Sequence, residues 1–142
     1  MSAFTQRVPL TGDPVEYETR KLIGGPLDWA VAAALKVDVT VSQSGQCWLV
    51  DKPKQLYSPH TRYRQGAEFM DQFDVQLRTG PTGGRVAQIE DHFACGPTML
   101  ISACRAIVLK FLGEKVMIPH DLAQAFLIRE LERVSTTVTK ES

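Results

Sequence analysis

The sequence has no excess of charge: 16 Lys and Arg residues face 16 Asp and Glu, for a formal net charge of zero. General nucleic-acid binders usually carry a strong basic excess, so that class of partner is not expected here. Cysteine is scarce, with three residues, Cys47, Cys95 and Cys104. They are odd in number and widely spaced, and none forms a C-x-x-C pair. That rules out a disulfide framework and the usual zinc and redox spacings. The expectation is reduced, buried, inert thiols in a cytoplasmic protein. No stretch approaches about 18 consecutive apolar residues, so no transmembrane helix is expected. Residues 1–7 carry no apolar run followed by small residues, so no signal peptide is expected either.

Catalytic signatures are missing too. There is no G-x-S-x-G turn, and His60, His92 and His120 lie in three separate contexts, whereas a triad needs convergent groups. Asp91-His92 offers two ligand types, but adjacent strand residues point to opposite faces, so no metal site is expected. Cys95 precedes the Gly96-Pro97 helix start, where a dipole favours a thiolate; ordinary packing is the preferred reading. Gly83-Gly84 is followed by no Lys-Ser/Thr pair, so it reads as a hairpin tip rather than a phosphate loop.

What is present fits one domain. The chain has 142 residues, 44% of them apolar, enough to bury a core without a metal or disulfide. Residues 1–21 mix polar types with Pro9 and Pro14 and read as an N-terminal arm or an edge strand. Pro26 opens a helix over 26–36, with Leu27, Val31, Ala34 and Leu35 on one face. Residues 37–41 alternate with period two and pair with 46–51 across Ser42-Gln43-Ser44-Gly45. Residues 73–78 and 85–90 form a second pair of strands around the Gly80–Gly84 loop, and 116–118 is a short extended piece. Leu100, Ile101, Cys104, Ile107, Val108 and Phe111 form the apolar stripe of a helix over 97–112, stopped by Gly113. A third helix runs over 120–133, followed by a frayed tail over 135–142. The expected fold is α+β: a small antiparallel sheet with about three helices packed on one side, in a single domain over 22–134.

Four segments in order carry a resemblance. They are Leu27-Asp28-Trp29-Ala30-Val31-Ala32; Tyr57-Ser58-Pro59-x-Thr61-x-Tyr63-x-Gln65-Gly66; Gly96-Pro97-Thr98-Met99-Leu100-Ile101; and Leu112-Gly113-x-x-Val116-x-Ile118-Pro119-x-x-Leu122. Together they resemble the NinX-like accessory proteins of bacteriophages, over roughly residues 22–122. Tyr63 stands where that pattern has Trp, His60 where it has Ser, and Ala67 where it has a second Gly. The resemblance implies a phage protein acting in the host cytoplasm.

The 57–66 stretch is read as a ligand loop. Tyr57 and Tyr63 offer rings that stack on a base, Arg62 and Arg64 offer forked donors for phosphate, and Ser58 and Thr61 offer hydroxyls. Pro59 stiffens the loop, and Gln65 and Gly66 complete it. Gly96 and Thr98 start a helix whose free amides suit an anion. Asp28, Trp29 and Arg105 are added as candidates; Trp29 is also read as core, and Arg105 as an exposed salt bridge. The leading expectation is a non-enzymatic homo-oligomer, without cofactor, that sequesters a small nucleotide-derived immune signal such as a cyclic nucleotide or cyclic ADP-ribose. The competing readings are a module that inhibits a host enzyme by protein–protein contact, and an enzyme that degrades the nucleotide.

Overall fold

The structure, a computed structural model, describes residues 12–81 and 83–141, with side chains as far as Glu132. The first eleven residues of the expected arm therefore lie outside the described residues, as does Ser142. The fold is mixed α+β. Strand β1 (Val15–Glu18) leads through a 3-10 turn to helix α1 (Gly24–Leu35), then the hairpin β2 (Val39–Val41) and β3 (Cys47–Leu49). Helix α2 (Tyr63–Gln72) follows, then strands β4 (Gln76–Thr79), β5 (Arg85–Ile89) and β6 (His92–Gly96). Helix α3 (Met99–Leu112), strand β7 (Lys115–Ile118) and helix α4 (His120–Glu141) complete it.

The single expected sheet is replaced by three small antiparallel ones, β1–β7, β2–β3 and β4–β5–β6. Two helices are central. In α1, Pro26 to Ala32 are all buried, and in α3, Ser102 to Leu109 are. Helices apolar nearly all round must be covered on every side. Accordingly α3 packs against β5 and β6 on one side and α1 on the other, while α1 also meets α4. Thr19 fastens the entry to this core: its Oγ1 donates to the Gly113 carbonyl at 2.6 Å, and its amide to Glu114 at 2.8 Å.

Three elements depart from the sequence reading. Helix α2 starts inside the stretch read as a loop. It has few apolar positions and contains Gly66, a residue that weakens helices by about 1 kcal/mol. Gly66 is there for close approach: a Cβ would lie 2.6 Å from Leu100 Cδ2 and 3.0 Å from the Pro59 carbonyl oxygen. Strand β6 was missed because its outward residues, Phe93 and Cys95, are apolar or weakly polar and exposed, which hides the alternation. Helix α4 continues to Glu141, through most of the tail expected to fray. No helix among the described residues is long and apolar enough to cross a membrane.

Candidate functional site

The segment Gln55–Ser58 runs beside β3. Leu49 donates to the Gln55 carbonyl at 3.1 Å, and Tyr57 to the Cys47 carbonyl at 2.8 Å. Extended backbone sends alternate side chains to opposite faces. Leu56 and Ser58 therefore line one cavity, of about 400 Å³, whereas Gln55 and Tyr57 line another, of about 520 Å³. Gln65, at the start of α2, holds this wall in place. Its Oε1 accepts from the Ser58 amide at 2.7 Å, and its Nε2 donates to the Leu56 carbonyl at 2.8 Å.

The smaller cavity contains the chemistry. Its walls come from the first turns of α1, the tip of the β2–β3 hairpin, the Ser58–Thr61 turn and α4. Asp28 is 4% exposed and reaches the turn from α1. Its Oδ1 lies 2.7 Å from His60 Nδ1 and accepts the His60 backbone amide at 3.3 Å. Burial holds the Asp28 carboxyl above the usual carboxylate range, against the opposing hydrogen bond from His60. Ser58 Oγ and Thr61 Oγ1 are 2.6 Å apart, and Ser58 Oγ stands 3.4 Å from His60 Nδ1. Among the described residues no buried side-chain nitrogen or oxygen lacks a partner. His60 Nε2, which has no such partner among the described residues, is therefore not buried, and His60 lines the cavity.

Two glycines bring the hairpin against α1. A Cβ on Gly25 would stand 2.0 Å from the Gly45 carbonyl oxygen, and Gly45 itself has φ +82°. Cys47 Sγ donates to the Gly25 carbonyl at 3.7 Å. From α4, Arg129 lines the cavity and donates from Nη1 to the Ser44 carbonyl at 3.2 Å. Helix α1 has no side-chain cap; Pro26 has no amide and Leu27 donates to the Ile23 carbonyl at 3.4 Å, so the helix start offers the amides of Gly24 and Gly25 to an acceptor.

The residues singled out from the sequence fall into separate places. Asp28, Ser58 and Thr61 meet at the cavity. Trp29, Tyr57 and Pro59 are buried, with Trp29 and Tyr57 in the core cluster. Burial pushes the Tyr57 hydroxyl well above its usual range. Gln65 and Gly66 shape the backbone. Arg62 and Tyr63 are exposed, Tyr63 at 71%. Gly96 and Thr98 lie at the start of α3 and do not line this cavity; Thr98 Oγ1 caps the helix by accepting from Ile101 at 3.1 Å. Arg105 is not exposed, and it makes no salt bridge among the described residues: it is 9% exposed and donates to the carbonyls of Leu22 at 2.9 Å and Cys95 at 2.8 Å.

His60 was the functional candidate that sequence reasoning left out. Its partner lies 32 residues away on another element, so no local motif exposes the pair. The nearest signal was that His60 departs from the resembled pattern. Cys95 corrects another expectation, since it is exposed while Cys47 and Cys104 are buried. Burial pushes both buried thiols up, which keeps them inert. Asp91 and His92 do meet, at 3.4 Å on the surface, but no group of three or more potential ligands among the described residues is arranged to hold a metal. The larger cavity is lined by Leu35, Val37, Phe69, Phe73, Phe111 and Tyr57, and also by Lys36, Lys52 and Glu68. It holds no acid–base pair of the Asp28–His60 kind. No family model matches the chain, and no curated protein matches it.

Proposed function

We propose that this protein binds a small nucleotide-derived molecule in the cavity beside Asp28 and His60 and sequesters it. The observation that carries the reading is the convergence of His60, Ser58, Thr61 and Arg129 on one space of about 400 Å³. Small-molecule sites span roughly 300–1,000 Å³, so this one suits a ligand of mononucleotide size or a compact cyclic one. Hydroxyls and an imidazole suit sugar oxygens, a guanidinium suits phosphate, and the uncapped start of α1 adds amides of the same preference. The phage setting, the host cytoplasm and the anti-defence role rest on the four segments that resemble NinX-like proteins. A homo-oligomer is part of the proposal, supported by Leu127, Ile128 and Leu131 on α4, which are 57%, 49% and 60% exposed. Calorimetry with cyclic mononucleotides, cyclic dinucleotides and cyclic ADP-ribose isomers tests the reading. Saturable heat with one of them supports it, and no heat with any overturns it.

One observation favours turnover as a second reading. A carboxylate that fixes one imidazole nitrogen and leaves the other facing a cavity is the arrangement of a general base. Incubation followed by chromatography separates the two: a sequestering protein releases intact ligand on heating, whereas an enzyme releases product.

A further inference from the structure

Asp28 determines which end of the His60 ring a ligand meets. Its Oδ1 accepts from the His60 backbone amide at 3.3 Å and lies 2.7 Å from Nδ1. An oxygen that already accepts an amide hydrogen, and lies 2.7 Å from a ring nitrogen, places the ring proton on Nδ1. Nε2 of the neutral ring then carries a lone pair. It has no hydrogen-bond partner among the described residues and is not buried, and His60 lines the cavity. Asp28 also holds the turn, because the same oxygen accepts the His60 backbone amide.

Ser58 and Thr61 do not compete for that acceptor. Their hydroxyls bond each other at 2.6 Å, and Ser58 approaches the ring on its Nδ1 side. A ligand group that pairs with Nε2 of the neutral ring must therefore donate. A fully ionised phosphate cannot donate; a ribose hydroxyl can. Resting on the binding reading above, we infer that His60 Nε2 accepts a hydrogen bond from a ribose hydroxyl of the ligand. His60 thereby selects ribonucleotide over deoxyribonucleotide chemistry, while Asp28 acts as the positioning residue that fixes the ring.

Calorimetry with AMP, ADP-ribose and cyclic ADP-ribose, each beside its 2′-deoxy and 3′-deoxy analogues, tests the inference. One missing hydrogen bond to that acceptor corresponds to about a tenfold loss of affinity. One of the two deoxy series is expected to lose that much, and the other little. His60→Asn keeps a donor towards Asp28 but removes the Nε2 acceptor. It should fold, bind the ribonucleotide about tenfold more weakly, and no longer distinguish it from the deoxy analogue. His60→Gln, which returns an acceptor near the Nε2 position, should recover part of the discrimination. Equal affinity of the wild type for ribo and both deoxy forms overturns the inference but leaves the binding reading standing. Undiminished discrimination in His60→Asn also overturns it. No heat from any probe overturns the binding reading, and the inference with it.

Discussion

A Cβ on Gly25 would stand 2.0 Å from the carbonyl oxygen of Gly45. Both residues line the cavity, one from the first turn of α1 and one from the β2–β3 tip. The obstacle is backbone, so no rotamer change relieves it. Gly25→Ala must push the hairpin outward and widen that wall. The expected cost is about 1–3 kcal/mol, as for other overpacked sites, together with loss of ligand binding. Urea denaturation measures the first effect; an unchanged midpoint would contradict the close approach.

The Asp28 carboxyl supplies a pH signature. Its pKa is held above the ordinary range mainly by burial. Such a group binds its proton more tightly in the folded state than in the unfolded one. Its contribution is therefore lost as pH rises from the ordinary carboxylate range, about 4, through the raised folded-state value. Asp28→Asn has no such titration and can still accept from His60. The stability of this variant relative to wild type should rise across that window and level off above it. Denaturation midpoints measured from about pH 4 to about pH 7 check this, and a difference independent of pH would contradict it. Asp28→Ala, which leaves the His60 donors without their acceptor, should cost about 1–3 kcal/mol more than Asp28→Asn at neutral pH.

Much of the fold was legible in the sequence, because the apolar stripe of α3 and the alternation of β2 are local patterns. The site was only partly legible. Asp28, Ser58 and Thr61 were picked as ligand residues and do line the cavity, but the reasoning rested on Tyr57, Arg62 and Tyr63. Tyr57 faces away because the Gln55–Ser58 segment is extended, and Arg62 and Tyr63 point outward because α2 begins there. The grouping of Asp28 with His60 depends on how α1 meets the Ser58–Thr61 turn, a tertiary contact without a local pattern.

That division predicts different outcomes within one stretch. Gln65→Ala removes both hydrogen bonds that hold the cavity wall at Leu56 and Ser58. It should cost about 1–3 kcal/mol for each buried group left unpaired, and weaken ligand binding as well. Arg62→Ala and Tyr63→Ala, at exposed positions, should change stability by no more than about 0.5 kcal/mol and leave binding intact. Thermal denaturation and calorimetry on the three variants decide it. Loss of binding in Arg62→Ala with retention in Gln65→Ala would reverse the assignment.

Arg105 ties the entry of α1 to β6 through the carbonyls of Leu22 and Cys95. Arg105→Leu leaves both acceptors unsatisfied, so it should be among the most destabilising single changes, at roughly 2–5 kcal/mol. In molecules that remain folded, ligand affinity should stay within about threefold of wild type, a shift under 1 kcal/mol. A stable variant that cannot bind would instead place Arg105 at the ligand.

The central claim is that the cavity beside Asp28 and His60 is the ligand site. Amide chemical shifts of isotope-labelled protein, titrated with cyclic ADP-ribose and with cyclic mononucleotides, test it most directly. The account predicts saturable shifts centred on Gly25, Gly45, Ser58, His60 and Thr61, with Gly96 and Thr98 unmoved. Shifts centred on the start of α3 or on the Phe69–Phe73 cavity, or no shifts with any of these nucleotides, would contradict it.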